Sequence, residues 1–257
     1  MTRAVDCAYS VDGNGPPLAL VHGIGAARDT WRFLMPVLTQ HFTVISYDLR
    51  GHGASPCPDP DFGLDELVID LEQIRMRLGI AQWHVAGHSL GGMIGPAYAR
   101  KYPERVLSLG LLSTAAFRTA DDRKKVWSVV HAMEEKGVPN VLETLIDRWY
   151  TDAFIADHRD IVDRRLKQVV DTDPAVFMNV FRIYAGTEMA PWLHEVTAPS
   201  LVLTGENDGG CNPRLNRQIE EALPDARLVV LPNYKHSILL EAGVHVADQL
   251  ISFIKAV

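Results

Sequence analysis

Gly87-His88-Ser89-Leu90-Gly91 follows the apolar run Trp83-His84-Val85-Ala86 and precedes the small-residue stretch Gly92-Met93-Ile94-Gly95-Pro96-Ala97-Tyr98-Ala99. That order reads as a short strand, a very sharp turn and a helix. A Cβ at either flanking glycine would collide with a neighbouring element, so the pattern needs Gly there. The turn forces Ser89 into strained backbone geometry and aims its hydroxyl out of a sheet, at a helix N-terminus where negative charge is favoured.

Working outward, short apolar strands alternate with longer helical patterns, the signature of a mostly parallel, twisted α/β sheet with helices on both faces. The strands are Leu18–Val21, Phe42–Tyr47, Trp83–Ala86, Val106–Leu112, Ser200–Thr204 and Arg227–Leu231. Helical spacing runs over Leu64–Leu78, Pro213–Leu223 and Val244–Ile254. The opening Ala4–Ser10, followed by Asp12-Gly13-Asn14-Gly15, reads as antiparallel strand with a turn. Between Ala116 and Pro191 the strands stop. Helices are expected there at Asp121–Lys136, Val141–Tyr150, Asp157–Val170 and Pro174–Tyr184. This divides the chain into a core of 1–115 and 192–257 and an inserted all-helical lid, or cap, of 116–191. An insertion at that end of a sheet walls a pocket.

Composition bounds the function. With 257 residues, 47 % hydrophobic and 22 % charged, the chain fits a single globular unit with a large core. Its net charge of −7 argues against a nucleic-acid or anionic-membrane partner. No stretch approaches the ~20 apolar residues of a membrane span. Asp6 interrupts the N-terminus before an apolar signal region develops. Cys7, Cys57 and Cys211 have neither disulfide-framework nor metal-ligand spacing, and read as reduced thiols of a cytoplasmic protein. No metal and no cofactor is expected, and a homo-oligomer is compatible with the sequence.

A serine hydroxyl is a poor nucleophile unless a base takes its proton and a carboxylate orients that base. The strand ending at Thr204 runs into Gly205-Glu206-Asn207-Asp208, and that ending at Leu231 runs into Pro232-Asn233-Tyr234-Lys235-His236. Both loops lie on the sheet edge of Ser89, where such sheets bind ligands. Asp208 stands further into its loop than Glu206 and is the preferred acid, with His236 as the base. After the first parallel strand, His22-Gly23-Ile24-Gly25 lets bare backbone approach a ligand. The backbone amides of Ile24 and Leu90 are the expected donors to an oxyanion. His22 is read as fixing its loop, and Asp48 and Arg50 as tying down the turn after Tyr47. As the base, His236 must be neutral, and its ionisation is expected to fall where that of a free histidine does, ~6.5.

These residues together resemble the α/β-hydrolase fold family, most of all the bacterial 3-oxoadipate enol-lactonases, carboxylesterases and cofactor-free haloperoxidase-like members. The resemblance runs from the His22 loop through the Tyr47–Ser55 turn, the Gly87–Gly92 elbow, Tyr102-Pro103-Glu104-Arg105-Val106 and the Asp208 loop to His236 and Glu241. Haloalkane dehalogenases and epoxide hydrolases carry Asp where this chain has Ser89. Carbon–carbon hydrolases of ring-fission products carry Asn before the serine and Trp after the histidine, where this chain has His88 and Ser237. The resemblance implies a serine hydrolase of a small carboxylic ester or lactone, with Ser89, His236 and Asp208 as catalytic triad and Ile24 and Leu90 as oxyanion hole. The alternatives are a carbon–carbon hydrolase or haloperoxidase-like perhydrolase using the same triad, and a small-ligand receptor of the same fold without turnover. From the lid, Trp127, Trp149 and Phe181 are expected to line the substrate pocket. Arg118, Arg148 and Arg182 are the candidates for a carboxylate contact.

Overall fold

The computed structural model describes residues 4–257. Among them, seven strands form one sheet: β1 (Tyr9–Asp12), β2 (Pro17–Val21), β3 (Thr43–Tyr47), β4 (Trp83–His88), β5 (Val106–Leu112), β6 (Ser200–Gly205) and β7 (Ala226–Leu231). Their spatial order is β1-β3-β2-β4-β5-β6-β7. Only β1 is antiparallel; it pairs with β3, Tyr9 opposite Tyr47. The first strand therefore lies later than the expected Ala4–Ser10. The turn after it leads into a strand that is not its sheet neighbour.

Alternation along the strands divides the core. On β2 and β3, Ala19, Val21, Ile45 and Tyr47 face one apolar layer, packed under helices Leu64–Arg77 and Gly91–Lys101. Leu18, Leu20 and Val44 face the other, packed with Leu34, Val246 and Leu250. A one-residue slip in register would exchange these faces, so the pairing is strongly specified.

The register brings the carboxyl ends of the parallel strands to one edge. Val21 pairs with Gly87, His88 with Leu112, Leu112 with Leu203, and Gly205 with Leu231. The loops holding His22, Ser89, Asp208 and His236 all leave that edge. There the chain between β5 and β6 rises into helices Ala120–Lys136, Val138–Trp149, Asp152–Asp157, Arg159–Asp171 and Pro174–Gly186. Thr119 starts the first by accepting the Asp122 amide, while the Asp122 carboxylate accepts the Thr119 amide. Asp173 caps the last, ahead of Pro174. Gly137, at φ +81°, separates the first two helices. The short Asp152–Asp157 helix was not expected; Thr151 starts it by accepting the Phe154 amide. The block carries its own apolar cluster, including Val130, Met133, Leu142, Leu145 and Phe177. Its two ends are knotted together. Glu188 accepts the amides of Phe117 and Arg118, and the Arg118 guanidinium donates to the carbonyls of Tyr184 and Thr187.

The turn after β3 is fastened as the sequence suggests. Arg50 grips buried Asp70 with two 2.7 Å hydrogen bonds, and Asp70 also accepts the Val5 amide. Asp48 accepts the amides of Arg28 and Ala54. Removing one member of a buried pair strands the other charge, so Asp70→Ala should cost about 3–5 kcal/mol of folding stability. An Arg50→Met/Asp70→Leu double variant should cost less than Asp70→Ala alone. Urea-unfolding midpoints at constant m-value compare them.

Candidate active site

The turn after β4 has the sharpness its sequence requires. Ser89 adopts φ +56°, in the left-handed region where a side chain is strained. A Cβ on Gly87 would fall on the carbonyl of Gly91, and one on Gly91 on the carbonyl of Val21. Neighbouring strand ends hold the strained residue. Its amide donates to Leu112 O at 2.9 Å, and its carbonyl accepts the Gly92 amide and the Thr114 hydroxyl.

Ser89, Asp208 and His236 line one cavity of about 500 Å³. Asp208 Oδ2 lies 2.7 Å from His236 Nδ1, while its Oδ1 accepts the amides of Gly210 and Cys211. Every oxygen of this 2 %-exposed carboxylate thus has a donor. Glu206 points elsewhere, accepting the Asn233 amide. With Nδ1 engaged by Asp208, Nε2 is the ring nitrogen of His236 left for a reacting group.

Burial opposes charge on both partners. It is outweighed by their mutual attraction and hydrogen bond, which hold the Asp208 carboxyl below its usual range and raise the His236 imidazolium well above 6.5. The expectation of an ordinary histidine at this position is thereby corrected: the buried carboxylate shifts it upward. Burial keeps His88, beside it, neutral, pushing its pKa down to about 3. The His88 ring lies 4.9 Å from that of His236 and donates Nε2–H to the His236 carbonyl.

Two further histidines build the loop after β2. His22 Nε2 accepts the Leu49 amide, which leaves the ring proton on Nδ1 to be donated to Gly23 O. His52 Nε2 accepts the Gly25 amide, and its Nδ1 donates to Arg50 O. Each ring must be neutral to accept a backbone N–H. Burial enforces this, lowering His22 well below 6.5 and His52 to about 4. His22 therefore fixes its loop, as read from the sequence; the part played by His52 was not foreseen. Among the described residues, the amides of Ile24 and Leu90 donate to no protein acceptor. They are free for a ligand.

The helical block covers this edge. The expected pocket residues Trp149 and Phe181 line the cavity. Trp127 does not: Asp122, Lys125, Val126 and Val129 form the face that does, and Trp127 is turned into the block's own cluster beside His131. Of the three arginines, Arg182 is an exposed partner of Glu134 at 2.6 Å, away from the cavity. Arg118 and Arg148 line the cavity, although Arg118 already serves the knot at the base of the block. Sequence reasoning missed Arg165, which also lines it.

Cys211 was missed as well. Its sulfur, with Asp208 and His236, completes a group of metal-type donor atoms within 4.8 Å of one another. Those atoms are engaged: Asp208 holds the imidazole and two amides, and Cys211 Sγ lies 3.2 Å from the Tyr184 hydroxyl. A cation would have to displace these bonds. All three cysteines are free thiols. Among the described residues, no helix is long and apolar enough to cross a membrane.

Comparison with known proteins agrees with this architecture. The family described as alpha/beta hydrolase fold matches residues 16–243. The chain belongs to the α/β-hydrolase fold family. It is 30 % identical over 94 % of its length to the dihydrolipoyllysine-residue acetyltransferase component of the acetoin cleaving system of Pseudomonas putida, and spans 64 % of that protein. It is 27 % identical to 3-oxoadipate enol-lactonase 2 of Acinetobacter baylyi, over 80 % of this chain and 76 % of that one. The crystal structure of the enol-lactonase from Burkholderia xenovorans superposes with a TM-score of 0.90, covering 98 % of this chain and 99 % of that one at 24 % identity.

The four histidines of this edge should separate in a pH titration followed by imidazole ¹⁵N NMR. His236 titrates above 6.5, whereas His22, His52 and His88 stay neutral down to pH 5. Asp208→Asn should bring the His236 midpoint down. A His236 that titrates below 6.5 in the unsubstituted protein would contradict the electrostatic account.

Proposed function

We propose that the protein is a serine hydrolase of small carboxylic esters or lactones that works through an acyl-enzyme. The observation that carries this reading is the Asp208–His236 pair, held at 2.7 Å, sharing a cavity with a serine in strained left-handed geometry. Ser89 Oγ attacks the substrate carbonyl while His236 Nε2 takes its proton. The carbonyl oxygen, now an oxyanion, accepts from the amides of Ile24 and Leu90, which have no competing protein acceptor. The tetrahedral adduct collapses, the C–O bond breaks, and the imidazolium returns its proton to the departing alkoxide. Water then attacks the acyl-enzyme by the same route in reverse, with His236 again the base. Asp208 stays ionised and stabilises the imidazolium.

Substrate size and polarity follow from the cavity. Ile24, Val126, Val129, Leu145, Phe177 and Phe181 give it apolar walls, and about 500 Å³ suits a small acyl group. The likeness to enol-lactonase 2 of Acinetobacter baylyi adds support for a lactone or ester bond. Water exclusion under the helical block strengthens the oxyanion contacts.

Ser89→Ala should fold normally and lose all but a residual few per cent of turnover on p-nitrophenyl acetate or a small lactone. Asp208→Asn should lower kcat by ~10⁴, because the amide selects the wrong imidazole tautomer. The base must be neutral and its pKa is raised, so kcat/KM should climb with pH through a midpoint above 6.5 and fall below it. Ser89-independent turnover, or long-chain esters as the preferred substrates, would refute the corresponding part of this reading.

A further inference from the structure

We infer that Arg165 is a positioning residue for the oxyanion loop, the side chain by which the helical block completes the site. This rests on the serine-hydrolase reading. Arg165 stands on helix Arg159–Asp171 and lies over the Trp149 ring, 5.5 Å from its centroid. Its Nη2 donates to Ile24 O at 2.8 Å and its Nη1 donates to Gly25 O. Among the described residues no carboxylate lies within ion-pair reach of it. A half-buried cation without a counter-ion is costly unless dipoles and an aromatic face replace water. Here two carbonyls of one loop and an indole do so.

The target of those hydrogen bonds is what gives them meaning. The peptide joining Ile24 to Gly25 is planar, so its two ends set its orientation. His52 holds the N–H end through Gly25, and Arg165 holds the carbonyl end through Ile24. In the preceding peptide, Gly23 O is held by His22 Nδ1 at 2.7 Å, and the opposite end is the Ile24 amide offered to the oxyanion. Three side chains thus hold the two successive peptide planes. Two of them, the histidines, belong to the core. The third comes from the helical block, so docking the block and aiming the Ile24 donor are one event. Its charge also lies on the wall of the cavity in which negative charge develops, and it opposes protonation of His22, His52 and His88. A planar two-pronged donor suits two neighbouring carbonyls, and a lysine reproduces only the charge.

The test compares wild type, Arg165→Met, Arg165→Lys and Gln168→Ala. Gln168 makes a separate contact from the same helix to Asp29 of the core. Three readouts are taken: hydrolysis of a neutral p-nitrophenyl ester, the rate of Ser89 labelling by a fluorophosphonate, and the Kd of an alkylboronic acid that forms a tetrahedral adduct. Arg165→Met should lower kcat and the labelling rate roughly ten- to hundredfold, less than deleting an oxyanion donor outright, and weaken the boronate in proportion. KM should move by no more than about threefold. Arg165→Lys should recover part of the loss, and Gln168→Ala should match wild type. Wild-type rates in Arg165→Met would overturn the inference; if that variant fails to fold, wild-type rates in Arg165→Lys would do so. Equal losses in Gln168→Ala would reduce Arg165 to one docking contact among several and overturn it too. A defect confined to KM for carboxylate-bearing esters would make Arg165 a substrate contact instead. Failure to label Ser89 in the wild type removes the serine-hydrolase reading itself, and is recognised before any Arg165 variant is compared.

Discussion

Everything at the carboxyl edge of the sheet depends on one strained residue. A non-glycine side chain at φ +56° costs about 1–2 kcal/mol, and that cost is met only because the surroundings leave the chain no alternative. Gly87 and Gly91 let β4, the following helix and the end of β2 approach until a single methyl group would not fit. The carbonyl of Leu112 and the hydroxyl of Thr114 take up the polar groups that the turn frees. The sheet must therefore be complete on both sides of β4 before Ser89 can be presented. Long-range pairing and local strain are one constraint.

The second organising force is the burial of neutral histidine. A backbone amide that meets an imidazole nitrogen instead of a carbonyl is bound just as well, provided the ring never gains a second proton. His22 and His52 meet that condition through burial, and they tie the loop after β2 to the turn after β3. His236 lies against His88, ring centroids 4.9 Å apart, and is driven the opposite way by Asp208. Adjacent rings of one chemical type are thus set apart in protonation by whether an anion or an apolar wall faces them.

Much of this was legible in the sequence, because it is written in residue types that few other structures need. Glycines flanking a serine between a strand and a helix admit few geometries, and Asp208 and His236 follow strands whose boundaries their apolar runs betray. What stayed hidden depends on rotation or on partners distant in the chain. Trp127 and Val126 are neighbours in sequence, yet about 100° of helical rotation separates them, and only packing decides which faces the cavity. Arg165 sits in the run Asp163-Arg164-Arg165-Leu166-Lys167, where nothing distinguishes it from the solvated charges around it. The two carbonyls it binds are more than a hundred residues away. The first strand was displaced for a related reason: β1 pairs with β3 and not with its successor, so hairpin reasoning had no purchase.

The knot formed by Glu188 and Arg118 bears on how such a chain changes over generations. Because it draws Phe117 and Arg118 against Tyr184, Thr187 and Glu188, the core experiences the intervening chain as a loop already closed at its base. Lengthening a closed loop adds only a logarithmic entropy, about 0.6 kcal/mol per doubling. Helices within the block can be gained, lost or reshaped with little consequence for the folding of the sheet below. The shape of the cavity's roof and the integrity of the sheet are thereby placed under separate selection, and a new roof can arise without a new fold.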